Sequence, residues 1–158
     1  MDTYEKLLTE FADELIIDDI ATLPNGVKGY YTTEANSNLI LLNKNIKTVK
    51  EKACVFTEEL GHHYTTVGDI TDQSRVENRK QELKARRWAV RKLIRVEKFI
   101  DAFNAGVRNR HELAQFLEVT EEFIDMSINH FKNIYGHSYT IGNYTIFFSP
   151  LWVYKSLE

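Results

Sequence analysis

Residues Phe56–Thr65 read FTEELGHHYT, and the way this stretch folds decides what the rest of the chain can be. As a helix it continues the series Val49, Ala53, Phe56 and Leu60, whose three- and four-residue spacing puts the apolar groups on one side. Positions i and i+4 of a helix share a face one turn apart. Glu58 and His62 form such a pair, and both could approach one cation at about 2.0–2.2 Å from oxygen or nitrogen. Glu59 stands one step round the helix, where a general base must stand to take a proton from an activated water. Gly61 leaves room for a crossing helix or a substrate backbone. Glu59 with His63 is an alternative pair, set back because His63 lies about 100° round from His62. In the first register His63 stands behind the ligands or faces solvent.

A catalytic cation needs a third protein ligand and an open position. Downstream, Glu77–Ala89 reads ENRKQELKARRWA, and Glu82 is the candidate. Ala85 and Ala89 follow at i+3 and i+7, small enough to let two helices approach closely. Glu77, nearer the helix start and flanked by polar residues, is the weaker choice. Taken singly, either motif is weak evidence: Glu/His neighbours on exposed helices are common, and Lys80, Lys84 and Arg86 surround Glu82 as helical salt-bridge partners.

Around these helices the spacing predicts an α+β fold. A helix is expected over Thr3–Ile16, with Leu7, Phe11 and Leu15 on one face. Two extended runs, Val27–Thr32 and Asn38–Leu42, flank a polar turn and form a hairpin. The motif helix spans Ile46–Thr65. Gly68, Asp69 and Asp72 break the pattern, and helical spacing resumes from Ser74 to about Phe103 as two helices or one bent one. Asn109 and Thr120 are placed to cap two further helices, the second closed by Gly136. Tyr139–Ile141 and Tyr144–Phe148, joined by Gly142-Asn143, form a second hairpin.

The chain has 158 residues, 43% hydrophobic and 27% charged, with a net charge of −3. That is enough apolar material for a core, and the balanced charge argues against a dedicated nucleic-acid binder. The lone Cys54 rules out an internal disulfide framework, and its place on the apolar side of the motif helix reads as a buried small hydrophobe. The first residues lack the pattern of a signal peptide, and no apolar run is long enough to span a membrane, so a cytoplasmic protein is expected.

The series TEELGHHYT, GDI and RKQELKARRWAVRKLI resembles the ImmA/IrrE family of metallo-endopeptidases, best over Asn38–Leu93. The resemblance implies a mainly helical, zincin-like core over residues 1–98, with a small antiparallel sheet. Residues 99–158 would then form a helical lobe with a terminal hairpin, packed with the core as one unit. It also implies a zinc cofactor, or another divalent metal, held by Glu58, His62 and Glu82, with Glu59 as the base. Family members are similar to cytoplasmic proteases of prophages and mobile elements that cleave a partner repressor, often a helix–turn–helix protein. The family's helix motif is His-Glu-x-x-His; Glu58 makes it Glu-Glu-x-x-His here. A non-catalytic pseudo-peptidase that binds a protein partner is therefore the alternative.

Other features have plainer readings. The basic segment Arg79–Lys98 could be a nucleic-acid footprint, but a solvated helix face is the usual explanation. Arg108–Phe131 has helix–turn–helix rhythm, yet its second helix opens Thr120-Glu121-Glu122-Phe123-Ile124-Asp125 and would meet phosphates with negative charge. It reads as a packing or partner-docking module, and DNA binding is the second alternative. His111, His130 and His137 read as surface or capping residues. The aromatic tail Tyr144–Tyr154 reads as hairpin core, with a sticky edge for a peptide or a second subunit as the other option.

Overall fold

The computed structural model describes residues 1–65 and 76–157, the side chains of Val76 and Glu77 excepted. The break at Gly68–Asp72, the helix start at Ser74 and the Glu77 carboxylate lie outside these. The described residues form six helices and six strands in an α+β arrangement. The chain divides into two compact units, Met1–Ala89 and Val90–Glu158. Among the described residues no helix is long and apolar enough to cross a membrane.

In the first unit α1 spans Thr3–Phe11, opened by a capping box in which Asp2 and Glu5 satisfy each other's backbone N–H. The sequence expectation carried this helix to Ile16, but it stops at Phe11. Leu15 is buried by the turn that follows, and the β-branched Ile16 and Ile17 open strand β1, Ile16–Ala21. The missed strand pairs in parallel with β3, Ser37–Asn43, which pairs antiparallel with β2, Gly29–Glu34. The sheet order is therefore β1-β3-β2, with β2 at an edge. The β2–β3 hairpin turns through Ala35 and Asn36, both at positive φ. Ile40 and Leu42 of the central strand are wholly buried. Against this sheet packs α2, Val49–Thr65, whose first turn is capped by the Thr48 hydroxyl accepting from Glu51 N–H. Phe56 and Leu60 of α2 are also fully buried, and Tyr4 of α1 meets Phe56 edge to face.

The long helical stretch divides in two, as its length implied: α3 spans Val76–Leu93 and α4 Lys98–Asn104. The second unit continues with α5, Arg110–Leu117, capped by Asn109, and α6, Glu121–Tyr135, capped by Thr120 and closed at Gly136. The tail forms β4, Ser138–Ile141, and β5, Tyr144–Phe148, as expected. A third strand, β6 over Leu151–Lys155, follows cis Ser149-Pro150. The sheet order is β4-β5-β6. Ile146, Phe148 and Val153 face the core while Phe147, Trp152 and Tyr154 face out, so of the five aromatic residues over Tyr144–Tyr154 only Phe148 is buried. Phe131 of α6 contacts the rings of Phe99, Tyr135 and Phe148. His130 is buried in the same region, which corrects its reading as a surface residue; His111 and His137 are exposed.

Candidate metal centre

The side chains singled out by spacing are carried by two helices: α2 brings Glu58, Glu59, His62 and His63, and α3 brings Glu82. The two helices approach at Gly61. A Cβ there would run into the main-chain carbonyl of Ala85, so α3 can lie this close only because position 61 has no side chain. Ala85 itself is buried, as its small size implied. At this approach His62 Nε2 lies 3.3 Å from Glu82 Oε2, and the His62 side chain is only 9% exposed.

The electrostatics of the cluster follow from one imidazole facing several carboxylates largely out of water. Burial disfavours the charged form of His62, but the bond to Glu82 and the fields of Glu59, Glu82 and Glu58 outweigh it and raise its pKa. The same bond holds Glu82 below the ordinary carboxylate range, against its desolvation and with help from Arg86. Glu59 is pushed up to about 7, mainly by burial; His62 opposes this, while Glu58 and Glu82 add to it. Glu58 is also raised by burial, with Arg86 its strongest counterweight and Lys28 a lesser one.

Strand β2 runs beside α2 and adds residues that sequence reasoning missed. A Cβ at Gly29 would stand 2.7 Å from Val55 Cγ1 and 3.0 Å from Glu59 Cγ and Oε1, so this glycine gives the Glu59 carboxylate its space. A glycine inside a strand is the signal that could have pointed to a close approach. The Tyr31 hydroxyl donates to Asn38 Oδ1 at 3.1 Å and lies 2.8 Å from His63 Nδ1. The second bond, whose donor depends on the His63 tautomer, ties His63 to β2. Burial lowers the His63 pKa.

His62 and Glu82 are thus brought together, with Glu58 and Glu59 within electrostatic reach of both. Among the described residues, no three His, Cys, Asp or Glu side chains stand close enough to hold one ion as they are. Cys54 is buried on α2, in keeping with a hydrophobe's role.

A family model described as the IrrE N-terminal-like domain, Peptidase_M78, matches residues 11–129. No curated protein and no solved structure matches the chain.

Proposed function

Because the chain belongs to the ImmA/IrrE family of metallopeptidases, hydrolases that work with a bound metal, we propose that it is a zinc-dependent endopeptidase acting on a protein substrate. The substrate class is a regulatory partner such as a helix–turn–helix repressor of a prophage or mobile element. The observation that carries this reading is the 3.3 Å approach of His62 Nε2 to Glu82 Oε2, two side chains brought from separate helices to one point. The donor types fit a divalent cation: an imidazole nitrogen and carboxylate oxygens are what zinc accepts. His62 and Glu82 would hold it, with Glu58 as the third ligand in place of the family's first histidine. The cation would polarise the scissile carbonyl and acidify a water.

The chain's own groups supply the rest. The proton that His62 directs at Glu82 must leave before the imidazole can serve as a ligand, so binding is favoured as pH rises. Glu59 accepts a proton from the attacking water and returns it to the leaving amine. Gly29 keeps space open at that carboxylate. Tyr31 fixes the ring of His63 next to the ligand position.

Metal analysis of protein purified without chelator tests the reading. One zinc per chain is expected, and Glu82→Ala should remove it while the fold persists. Zinc far below one per chain, unchanged by that substitution, would count against the proposal. Glu58 in place of the family's first histidine favours one second reading, a pseudo-peptidase that binds its partner without cleaving it. Co-expression with a candidate helix–turn–helix repressor separates the two: only the peptidase gives discrete fragments. The acidic opening of α6, with Arg110 already taken by Asp125 and Glu121, supports a protein partner over DNA.

A further inference from the structure

A groove of about 310 Å³ lies in the second unit, distant in chemistry from the metal centre. Its walls include Phe103 of α4, Leu113 of α5, Ile128 of α6 and the run Leu151-Trp152-Val153 of β6. Consecutive strand residues point to opposite faces of a sheet. A groove lined by three in a row therefore follows the edge of β6 rather than one face. That edge is open: β6 is the outer strand of β4-β5-β6, and no strand among the described residues pairs with its other side. Trp152 on it is 55% exposed.

Two arginines stand at the rim, and they differ. Arg110 is neutralised by Asp125 at 2.6 Å and Glu121 at 2.9 Å. The Arg108 guanidinium is held by neutral groups: its Nη1 donates to the carbonyls of Phe103 and Val107 at 2.9 and 2.8 Å, and it lies 4.5 Å from the Phe103 ring centre, while the Arg108 main-chain N–H donates to Glu112 Oε2 at 3.3 Å. Among the described residues no carboxylate pairs with that guanidinium. The Asn109 side chain, also in the lining, is spent capping α5. The groove thus offers an apolar slot, a strand edge with which no other described strand pairs, and a guanidinium to which no described carboxylate is bonded. A small ligand would need several polar side chains to orient it, whereas a strand edge orients a peptide by its backbone.

We propose that the groove along β6 docks an extended peptide segment bearing an apolar anchor residue and, within two residues of it, an acidic side chain. The segment adds to β6 as a further strand, its anchor enters the slot beside Trp152, and its carboxylate meets Arg108. This site is independent of the metal centre and of the reading given above for it.

A random 12-residue peptide library displayed on phage, panned against the full chain, tests this. The expected clones share an apolar residue next to or one removed from Asp or Glu. A synthetic peptide of that consensus should bind with affinity reduced at least about tenfold by Arg108→Glu. Trp152→Ser, at a position 55% exposed, should weaken it comparably while the thermal midpoint shows the variant folded. Binding should slow amide exchange at Trp152 or Tyr154. A library without an enriched acidic–apolar pattern would overturn the proposal, as would a consensus peptide that binds both variants like the wild type. Uptake of the apolar anion anilinonaphthalene sulfonate by this groove with no peptide selected would overturn it too.

Discussion

The α2–α3 approach and the α5–α6 pair are each tied by an ion pair between helices, and they differ in where the charge sits. Between α5 and α6, Arg110 faces Asp125 and Glu121 with all three side chains at least 40% exposed. Water solvates each partner, and such a tie costs and contributes little. Between α2 and α3, His62 is nearly sealed and its environment holds three carboxylates against one imidazole. Removing charge from water without matching partners is expensive, so the two sites cannot have the same purpose. The exposed pair fastens a helix turn. The buried cluster instead pushes the Glu58 and Glu59 carboxyls toward their neutral forms beside an imidazole that Glu82 holds charged, an arrangement that a fastening pair does not need.

That contrast is broken most severely at Glu59. Glu59→Gln preserves shape and removes the proposed base, so the proposed peptide-bond cleavage by zinc-loaded protein should fall by about 10²–10⁴-fold. Zinc content should stay at the wild-type level. Equal loss of metal and activity would make Glu59 a structural or ligand residue instead. Next in size is Gly61. Gly61→Ala brings a Cβ against the Ala85 main chain, which cannot swing away as a side-chain tip could. A destabilisation of about 2–3 kcal/mol is expected, read from the denaturation midpoint, together with weaker zinc binding as α3 is pushed off. A stable variant with normal zinc content would show that the helices do not need this approach.

The sequence made the helix pair legible because its signals are local. Glu58 and His62 are fixed on one face by helical spacing, and Gly61 with Ala85 marks where two backbones meet. What spacing could not reveal was the strand beside them. Leu15 continues the helical spacing of α1, which carries the expected helix to Ile16 and leaves Ile17–Ala21 without an assignment; the pairing of β1 with β3 depends on contacts far along the chain. Gly29 and Tyr31 were read only as hairpin residues, since nothing local says that β2 runs against α2. The burial of His130 was missed for the same reason: it depends on the aromatic packing around Phe131, which the sheet β4-β5-β6 completes. β6 itself was hidden by Pro150, a residue that reads as the end of a strand and here sits in the turn between two.

A smaller effect, in pH, sharpens the comparison in the metal-free protein. An acid whose folded pKa lies above its ordinary value favours folding most at low pH and loses that contribution as pH rises through the folded value. Glu59, raised from 4.5 to about 7, does this, and Glu58 acts in the same direction. His62, raised above 6.5, also contributes stability that is present below its ordinary value and lost as pH rises through the folded one. Glu82, lowered, loses its contribution as pH falls below the carboxylate range. Chelator-treated protein should therefore lose stability between about pH 5 and pH 7.5, with Glu59 responsible for at most about 3 kcal/mol. Glu59→Gln should flatten this slope. Denaturant titrations at the two pH values measure it, and a slope unchanged by the substitution would remove Glu59 as its source.

The smallest effect belongs to the exposed pair. Arg110→Ala breaks the bonds to Asp125 and Glu121, leaving two carboxylates that water solvates at once. Its guanidinium reaches both acids from the start of α5, so some geometric fastening of the turn is lost, but no group is left buried and uncompensated. The thermal midpoint should drop only slightly, and the difference should shrink further in high salt, which screens the wild-type pair. Zinc content should not change. A large, salt-insensitive drop would mean that this tie holds the α5–α6 turn in place by packing of the arginine stem, and the contrast between a fastening pair and a chemical one would then rest on burial alone.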